Sequence, residues 1–391
     1  MIWEQYVFRR GREVEELWDQ TFADKKSEGR SVKLLYVTGR GFDIRAGIVL
    51  SRYVERLKAS ECTIDKAELL LVGFSDYQMS DELNALTERN EAEIQELFAD
   101  IGSSKKVWIG SEVDGEDDIS STISLKRAAD KIVHSIGDHT DVVLDVSSLP
   151  RLAYLTIMLA LLARIVPRGA EGKSLFANGL TLQVLAAEDA ILDSQIHSED
   201  PSGDLTFVPS YSEALQSEAQ RDDPLVWFPM LGEDRLGQLS KVEEVIPAWA
   251  EICPVLPHPS RNPRRGDRLL VEYDGILFGR RETPTSNIML VNESHPFEVY
   301  RQLLGAMRRF RKTMGALGTC RFVITPLASK LMTVGSALAC FEMKMHSADY
   351  LSSVAIPYAE PRRYTADLER VMSSMPTISA LVLTGDAYDN R

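Results

Sequence analysis

The sequence predicts an α/β protein made of two Rossmann-like halves, each with a parallel sheet. Strand-like apolar runs alternate with helix-like amphipathic runs, and turn residues separate them. The alternation stops in a polar, acidic stretch and then begins again. Alternating strands and helices favour parallel sheets with right-handed crossovers. The length of 391 residues suits two domains, because domains commonly hold roughly 100–200 residues.

The first half alternates strands and helices after a helical lead-in at residues 1–30. Short β-rich runs bounded by turn residues favour strands, and apolar residues spaced three or four apart favour helices. Strands are predicted at 33–38, 67–74, 106–109, 141–146 and 181–185, with helices at 46–59, 80–98, 125–136 and 151–166. The predicted Rossmann-like domain spans 31–193.

The second half repeats this scheme after a polar segment at 194–223, which predicts an acidic linker. Strands are predicted at 225–228, 253–257, 288–291, 321–325 and 351–356, with helices at 240–249, 296–314 and 331–343. The second Rossmann-like domain is therefore expected at 224–391, with a loop rich in proline and arginine near 253–267. Both halves contain a strand, a hydroxyl-bearing turn and an apolar helix, which suggests a pseudo-duplicated pair.

Charge is unevenly distributed along the chain. The net charge is −14, with 24 basic and 40 acidic residues in positions 1–223 but 20 and 18 in positions 224–391. An acidic first half argues against nucleic acid as a partner, because nucleic-acid binding rests on neutralising phosphates. The second half has a basic cluster at Arg261, Arg264, Arg265 and Arg268. That cluster fits either a solvated face or contact with an anionic ligand or partner.

Metal, membrane and secretory classes find no support in the sequence. The four cysteines are scattered and none forms a CxxC pair, so neither a disulfide framework nor a metal site is expected. No cofactor fingerprint is complete. The longest apolar run, 152–166, is too short to span a bilayer comfortably, and the N-terminus is charged. These features predict a cytoplasmic protein with no membrane partner.

The first candidate loop follows the first predicted strand. Gly39 and Gly41 permit a tight turn in which backbone N–H groups approach an anion. Arg40 and Arg45 could pair with phosphate, and Asp43 could accept from a ribose hydroxyl or cap the next helix. The third glycine of the dinucleotide-binding fingerprint is missing. A purely structural turn therefore stays open as the alternative.

The second candidate loop follows the strand at 141–146. Asp145 lies near the strand end, where ligands of open α/β sheets bind. Ser147 and Ser148 can cap the next helix, so capping alone could explain them. Arg151 is harder to explain by capping, because a cation at a helix N-terminus opposes the helix dipole unless an anion is near.

The third candidate loop follows the strand at 321–325. Thr325 and Ser329 supply hydroxyls, and Lys330 again places a cation at the start of a predicted helix. The spacing of a Walker phosphate loop is absent, which argues against nucleotide triphosphate hydrolysis by that mechanism. The structural alternative is a helix cap followed by a surface lysine.

Two resemblances connect these loops to prokaryotic antiviral defence. The segment GRGFDIRAGIVLSRY at 39–53 resembles the opening motif of AbiH-type abortive-infection proteins, which place a Gly-x-Gly-Phe-Asp turn after their first strand. The strand, Ser/Thr-rich turn and helix resemble CARF and SAVED ligand-sensing domains, and SAVED domains are two fused CARF-like units. The resemblance implies a pocket for a cyclic oligonucleotide or other nucleotide, lined by the three candidate loops.

The leading hypothesis is a nucleotide-binding protein of a prokaryotic defence or stress pathway. The first alternative is an enzyme that hydrolyses a nucleotide or NAD-like substrate, with Asp43, Asp145 or Glu293 as acid or base. No nucleophile–base pair is evident in the sequence, so catalytic residues stay unassigned. The second alternative is a scaffold subunit whose basic second half binds an acidic protein partner in a defence complex.

Overall fold

The computed structural model describes residues 1–75, 79–110, 121–166, 172–189, 197–201, 205–345, 352–365, 368–373 and 375–389. The chain forms two compact units. One holds residues 2–199 together with 363–391, and we call it the N-terminal unit. The other holds residues 200–362 and residue 1, and we call it the central unit.

Strands and helices alternate through most of the chain. The strands are β1 Val7–Arg10, β2 Val32–Gly39, β3 Ile64–Phe74, β4 Ser103–Ile109, β5 Asp141–Asp145, β6 Thr181–Glu188, β7 His197–Pro201, β8 Thr206–Phe207, β9 Leu225–Met230, β10 Glu251–Ile252, β11 Val255–Pro257, β12 Met289–Val291, β13 Cys320–Pro326, β14 Ser352–Ala355, β15 Pro357–Tyr358, β16 Pro361–Thr365 and β17 Thr377–Thr384. The first helices are α1 Arg12–Ser27, α2 Arg45–Ala59, α3 Asp81–Ala99, α4 Ser121–Ser135 and α5 Arg151–Ile165. Further helices are Glu213–Gln216, Leu236–Glu243, Arg265–Glu272, Pro296–Met314, Lys330–Met345 and Leu368–Met372.

The N-terminal unit is built on a seven-stranded sheet in the order β1-β17-β6-β5-β2-β3-β4. The five strands from β6 to β4 in this order are parallel. β17 runs antiparallel to β6, and β1 runs antiparallel to β17. The chain order reverses between β2 and β5, which is the topological switch point where open α/β sheets bind their ligands.

Burial explains why these segments form this sheet. β2 is buried along almost its whole length, as expected of a parallel strand covered by helices on both faces. α1 is amphipathic and buries Val14, Trp18 and Phe22, which stand on one face at helical spacing. α5 buries ten of its fifteen residues, so it is an interior helix rather than a surface one.

The central unit contains a second parallel sheet, in which neighbouring strands lie in the order β12-β11-β9-β13-β14. β10 also pairs with β9. When β10 and the two antiparallel strands β1 and β17 are left out and the remaining strands are numbered along the chain, the five strands of each sheet lie in the order 3-2-1-4-5. The predicted α/β class with two Rossmann-like parallel-sheet halves is therefore confirmed, and the switch point of the central unit lies between β9 and β13.

Three parts of the predicted organisation differ from the observed one. Residues 1–30, expected to be a helical lead-in, supply the edge strand β1 and the helix α1 to the N-terminal unit. Residues 363–391, expected in the second domain, return to the first sheet as β17, because this apolar strand pairs with both β1 and β6. The expected linker at 194–223 lies partly outside the described residues, and its described part after 204 belongs to the central unit.

Every helix in the described part of the chain is too short or too polar to cross a membrane.

Candidate functional site

The first two candidate loops meet at the switch point of the N-terminal unit. The Ser148 hydroxyl, after β5, donates a hydrogen bond to the Gly39 carbonyl at the end of β2, with an Oγ–O distance of 3.1 Å. A Cβ atom added to Gly39 would lie 2.7 Å from Ser148 Oγ and 3.1 Å from the Ser148 carbonyl carbon. A larger residue at position 39 would therefore force the Ser148 side chain and the adjoining backbone to shift.

Helix α3 holds the first loop from the other side. The Asn90 side-chain amide donates to the Gly41 carbonyl over 3.1 Å. The Arg40 guanidinium forms an ion pair with Glu91 and lies 5.2 Å from the centre of the Trp108 ring. These three contacts hold the turn around Gly41 in place.

Asp43 and Arg45 are buried and paired with each other. Arg45 is 2% exposed, and its Nε and NH2 atoms donate to the Asp43 carboxylate over 2.9 and 2.6 Å. The Arg45 backbone N–H also donates to Asp43 Oδ1 over 3.0 Å, which forms an Asx turn leading into α2, whose N-cap residue is Ile44. The structure thus places both charges inside the loop, facing one another.

Asp145 is fully buried beneath the contact between the two loops. Its carboxylate accepts from the Ser147 backbone N–H over 2.9 Å, from the Tyr36 hydroxyl over 3.3 Å and from the Thr38 hydroxyl over 3.4 Å. Burial, together with the negative charge of Asp145, raises the pKa of Tyr36 well above its ordinary value. The phenol therefore stays protonated and available as a donor to this carboxylate.

The turn after β5 leads directly into α5. The Ser147 hydroxyl is buried and accepts from the Ala187 backbone N–H over 2.9 Å, which ties this turn to β6. Pro150 precedes Arg151, the first residue of α5, and supplies no side-chain cap to the helix. The first turn of α5 has no acidic residue, and Arg151 is partly exposed. This helix start combines backbone N–H groups, the positive end of the helix dipole and a guanidinium.

The third candidate loop occupies the corresponding position in the central unit, after β13. The Thr325 hydroxyl is buried and accepts from the Trp227 indole N–H over 2.9 Å. The Ser329 hydroxyl accepts from the Met332 backbone N–H over 3.3 Å, and Lys330 begins the helix. Ser329 is therefore a helix cap, as one of the two sequence interpretations expected.

A glycine again brings two loops together at this second switch point. Gly232, after β9, packs so tightly on the loop after β13 that an added Cβ would lie 2.1 Å from the Leu327 carbonyl oxygen. Close by, the Arg265 guanidinium pairs with Glu293 and, over 3.3 Å, with Glu233. The Ser329 hydroxyl donates to the Glu293 backbone carbonyl over 3.4 Å, so the loops after β12 and β13 are also joined.

Sequence reasoning missed the contribution of α3 to the first site. Glu91 is nearly buried and forms ion pairs with both Arg40 and Lys106. Burial opposes ionisation of Glu91, but the hydrogen bonds from Lys106 and Arg40 outweigh it, so the pKa of Glu91 is lowered. No local pattern marks Asn90 or Glu91, because the loop residues that they contact, Gly41 and Arg40, lie about fifty positions earlier in the chain.

The candidate site of the N-terminal unit offers hydrogen-bond donors and positive charge to a ligand. Within the residues that the structure describes, no three His, Cys, Asp or Glu side chains are placed to hold a metal ion together. The exposed edge of the site is formed by the backbone of the glycine turn, the half-buried Ser148 and the start of α5 with Arg151. This set of groups suits an anionic ligand with hydrogen-bond acceptors.

Comparison with known proteins finds structural likenesses but no sequence family. No family model matches the chain, and no curated protein matches it. Among solved structures, it is similar to a protein named as a UDP-N-acetylglucosamine 2-epimerase from Listeria monocytogenes, with 11% sequence identity and a TM-score of 0.22. The match covers 82% of this chain and 90% of that chain. A TM-score this low carries no argument, so the fold assignment rests on the strand order alone.

Proposed function

We propose that the chain binds a nucleotide at the carboxyl ends of β2 and β5 in the N-terminal unit. The observation that carries this proposal is the direct contact between Gly39 and Ser148 at the switch point of a 3-2-1-4-5 sheet. A glycine turn and a helix start that meet at this position form an arrangement suited to phosphate groups.

The proposed roles follow from exposure and bonding. Ser148, Arg151 and the backbone N–H groups at the start of α5 would hold phosphate, because they border the open edge of the site. Asp145 and Ser147 are buried, so they would position the loops rather than contact the ligand. The buried pair of Asp43 and Arg45 would keep the glycine turn in place. The Arg40 side chain is 18% exposed at the edge of the site, from which its positive charge would attract the phosphate groups.

The resemblance to CARF and SAVED domains favours a cyclic oligonucleotide as the ligand, within a cytoplasmic defence or stress pathway. The shared strand order of the two units supports this proposal, since SAVED domains are two fused CARF-like units. In the central unit, Thr325, Ser329 and Lys330 stand at the equivalent strand end. Thr325 would position that loop from its buried site, and Lys330 would supply the cation.

A thermal-shift screen of the full chain against mono-, di- and cyclic nucleotides and NAD tests the proposal. A ligand at ~100 times its dissociation constant should add roughly 2.7 kcal/mol to the free energy of unfolding. Arg151→Ala should weaken binding of the hit at least about tenfold, the loss of roughly one charge-assisted contact. Arg164→Ala is the matched control, because Arg164 is an exposed arginine in the last turn of the same helix.

Two outcomes would contradict the proposal. If no nucleotide shifts the melting temperature, the chain is not a nucleotide-binding protein and the scaffold alternative gains weight. If Arg151→Ala binds as tightly as Arg164→Ala, the ligand occupies another place. Recovery of the ligand after incubation separates the remaining functions: an intact ligand supports a sensor, and a consumed one supports the enzyme.

A further inference from the structure

The guanidinium of Arg40 is held in a fixed position at the edge of the proposed nucleotide site. Its Nε atom donates to the Glu91 carboxylate, and its Cζ atom lies 5.2 Å from the centre of the Trp108 ring. The Arg40 backbone N–H donates to the Val72 carbonyl over 2.8 Å, which continues the pairing of β2 with β3. Backbone, side-chain nitrogen and aromatic ring together fix one orientation of this arginine.

The position of the Trp108 ring depends on a glycine of the neighbouring strand. Gly73 of β3 is paired with Trp108 of β4, and a Cβ atom added to Gly73 would lie 2.7 Å from two carbons of the ring. The ring therefore lies across β3, toward the glycine turn that carries Arg40. Because the face of an indole ring attracts cations, the ring supports the guanidinium on one of its two faces.

The two terminal nitrogens of Arg40, NH1 and NH2, have no hydrogen-bond partner among the residues that the structure describes. The side chain is 18% exposed, so a ligand can reach them. The charge of Arg40 is only partly compensated, because Glu91 also forms an ion pair with Lys106 and one carboxylate thus serves two cations.

The free end of this guanidinium is a planar fork of N–H donors. It matches a ligand group with two adjacent acceptors, such as a phosphate, a carboxylate or the O6 and N7 atoms of guanine. Since the fork is already oriented by Glu91 and Trp108, little conformational freedom is lost when such a group binds.

The position of the fork in the sheet selects among these groups. The proposed phosphate-binding groups, Ser148 and the start of α5, follow β5, whereas the Arg40 side chain reaches across β3 to a ring of β4. β5 and β3 are two strand spacings apart in the sheet, about 10 Å. Linked phosphates of a nucleotide share an oxygen atom and are too close together to span this distance. The sugar and base of the nucleotide extend far enough, so the base comes nearest to the fork.

We propose that Arg40 determines the base specificity of the nucleotide site and that this site takes a guanine nucleotide. NH1 and NH2 donate to O6 and N7 of guanine, the arrangement by which arginine recognises this base in nucleic acids. Adenine has an amino group in place of O6, so it sets a donor against one of the two donors of the fork. This inference rests on the proposed function, and it adds a direct contact to the long-range attraction of Arg40 for phosphate.

Four nucleoside monophosphates test the proposal on the full, unsubstituted chain: those of guanosine, inosine, adenosine and the deaza analogue of guanosine that has carbon in place of N7. Isothermal titration calorimetry measures their dissociation constants. Inosine retains O6 and N7, so its monophosphate should bind as tightly as that of guanosine. The adenosine and deazaguanosine compounds should bind at least about tenfold more weakly, the loss of a bidentate contact.

The failure of this inference is distinguishable from the failure of the proposed function. Equal affinity for all four compounds, lost in Arg151→Ala, retains the nucleotide site and overturns the guanine assignment. Binding of none of the four also overturns the guanine assignment, and the wider nucleotide panel described above then decides whether the site takes any nucleotide.

Substitution of Arg40 assigns the preference to this side chain. Arg40→Ala should abolish the preference for guanosine over adenosine monophosphate, whereas Arg89→Ala, at an exposed arginine that pairs with Glu93, should retain it. The ratio of two dissociation constants does not depend on how much of a sample is folded, so a purely structural role of Arg40 would leave this ratio unchanged. A guanosine preference that survives Arg40→Ala therefore overturns the proposal. Ribose phosphate, which has no base, is the last probe: if Arg40→Ala weakens it as much as guanosine monophosphate, Arg40 binds phosphate and the guanine assignment is wrong.

Discussion

At the scale of single residues, the charged groups of the first loop bond mainly to one another and to α3. The sequence predicted Arg45 as a phosphate ligand and Asp43 as a ribose acceptor or helix cap. In the structure the Asp43 carboxylate accepts from the Arg45 backbone N–H and pairs with the Arg45 guanidinium, whereas the N-cap of α2 is Ile44. A buried pair of this kind stabilises a loop only while both partners are present, because either one alone is a buried charge without compensation.

Arg45→Ala should therefore lower the free energy of unfolding by about 3–5 kcal/mol, as removal of one partner of a buried ion pair does. Chemical denaturation monitored by circular dichroism measures it. Arg89→Ala is the control, because Arg89 pairs with Glu93 on the exposed face of α3 and should change stability by about 1 kcal/mol or less. A loss for Arg45→Ala no larger than that of the control would show that the pair is not buried in solution.

The sequence could predict that the first two candidate loops lie at the same edge of the sheet, but it could not predict the hydrogen bonds and ion pairs within them. Gly39, Ser148 and Arg151 follow recognisable strands, and residues that follow parallel strands gather at one edge of a sheet. Asn90 and Glu91 lie in the middle of a long polar helix, where asparagine and glutamate are ordinary surface residues. Only the packing of α3 beside β4 and α2 turns them toward the glycine loop.

At the scale of secondary-structure elements, two glycines near each other in sequence have opposite roles. Gly39 ends β2 and leaves no room for a Cβ atom against Ser148. Gly47 lies inside α2, where an added Cβ would only reach ordinary contact with Ile94 at 3.9 Å. Glycine inside a helix costs roughly 0.5–1 kcal/mol relative to alanine, so nothing in the backbone favours it at position 47.

Gly39→Ala should destabilise the chain by about 1–3 kcal/mol, because the loops after β2 and β5 must separate to admit the methyl group. The substitution should also weaken the binding of any ligand that contacts both loops. Gly47→Ala should instead stabilise the chain by up to about 1 kcal/mol through its higher helix propensity. Thermal unfolding of the two variants side by side checks the direction of each change in stability. A Gly39→Ala variant as stable as the unsubstituted chain would rule out the close contact between the loops.

At the scale of the whole molecule, the sequence predicted the class of fold but not which segments build each sheet. The alternation of strands and helices led us to expect two parallel sheets, and the structure adds that the five parallel strands of each unit lie in the order 3-2-1-4-5. β17 escaped that reasoning, because no strand was predicted after 351–356 and its pairing with β1 and β6 joins segments separated by about 190 residues or more. Local patterns identify a strand, whereas long-range packing decides its neighbours.

The return of β17 makes a prediction about how the chain can be divided. A fragment of residues 200–362 contains all of β9–β14 and should fold by itself, whereas a fragment of residues 2–199 lacks β17. Without that strand, β1 has no partner in the sheet and β6 presents an open, apolar edge, which favours aggregation.

Co-expression of fragment 2–199 with a peptide of residues 363–391 should restore a soluble, folded N-terminal unit. Circular dichroism and cooperative thermal unfolding measure that recovery, and a peptide carrying Ala380→Asp and Leu381→Asp is the control, because both side chains are buried in β17. A fragment 2–199 that folds cooperatively by itself would show that β17 adds little to this sheet. Dependence on the peptide would instead show that the first Rossmann-like unit is completed by the last strand of the chain.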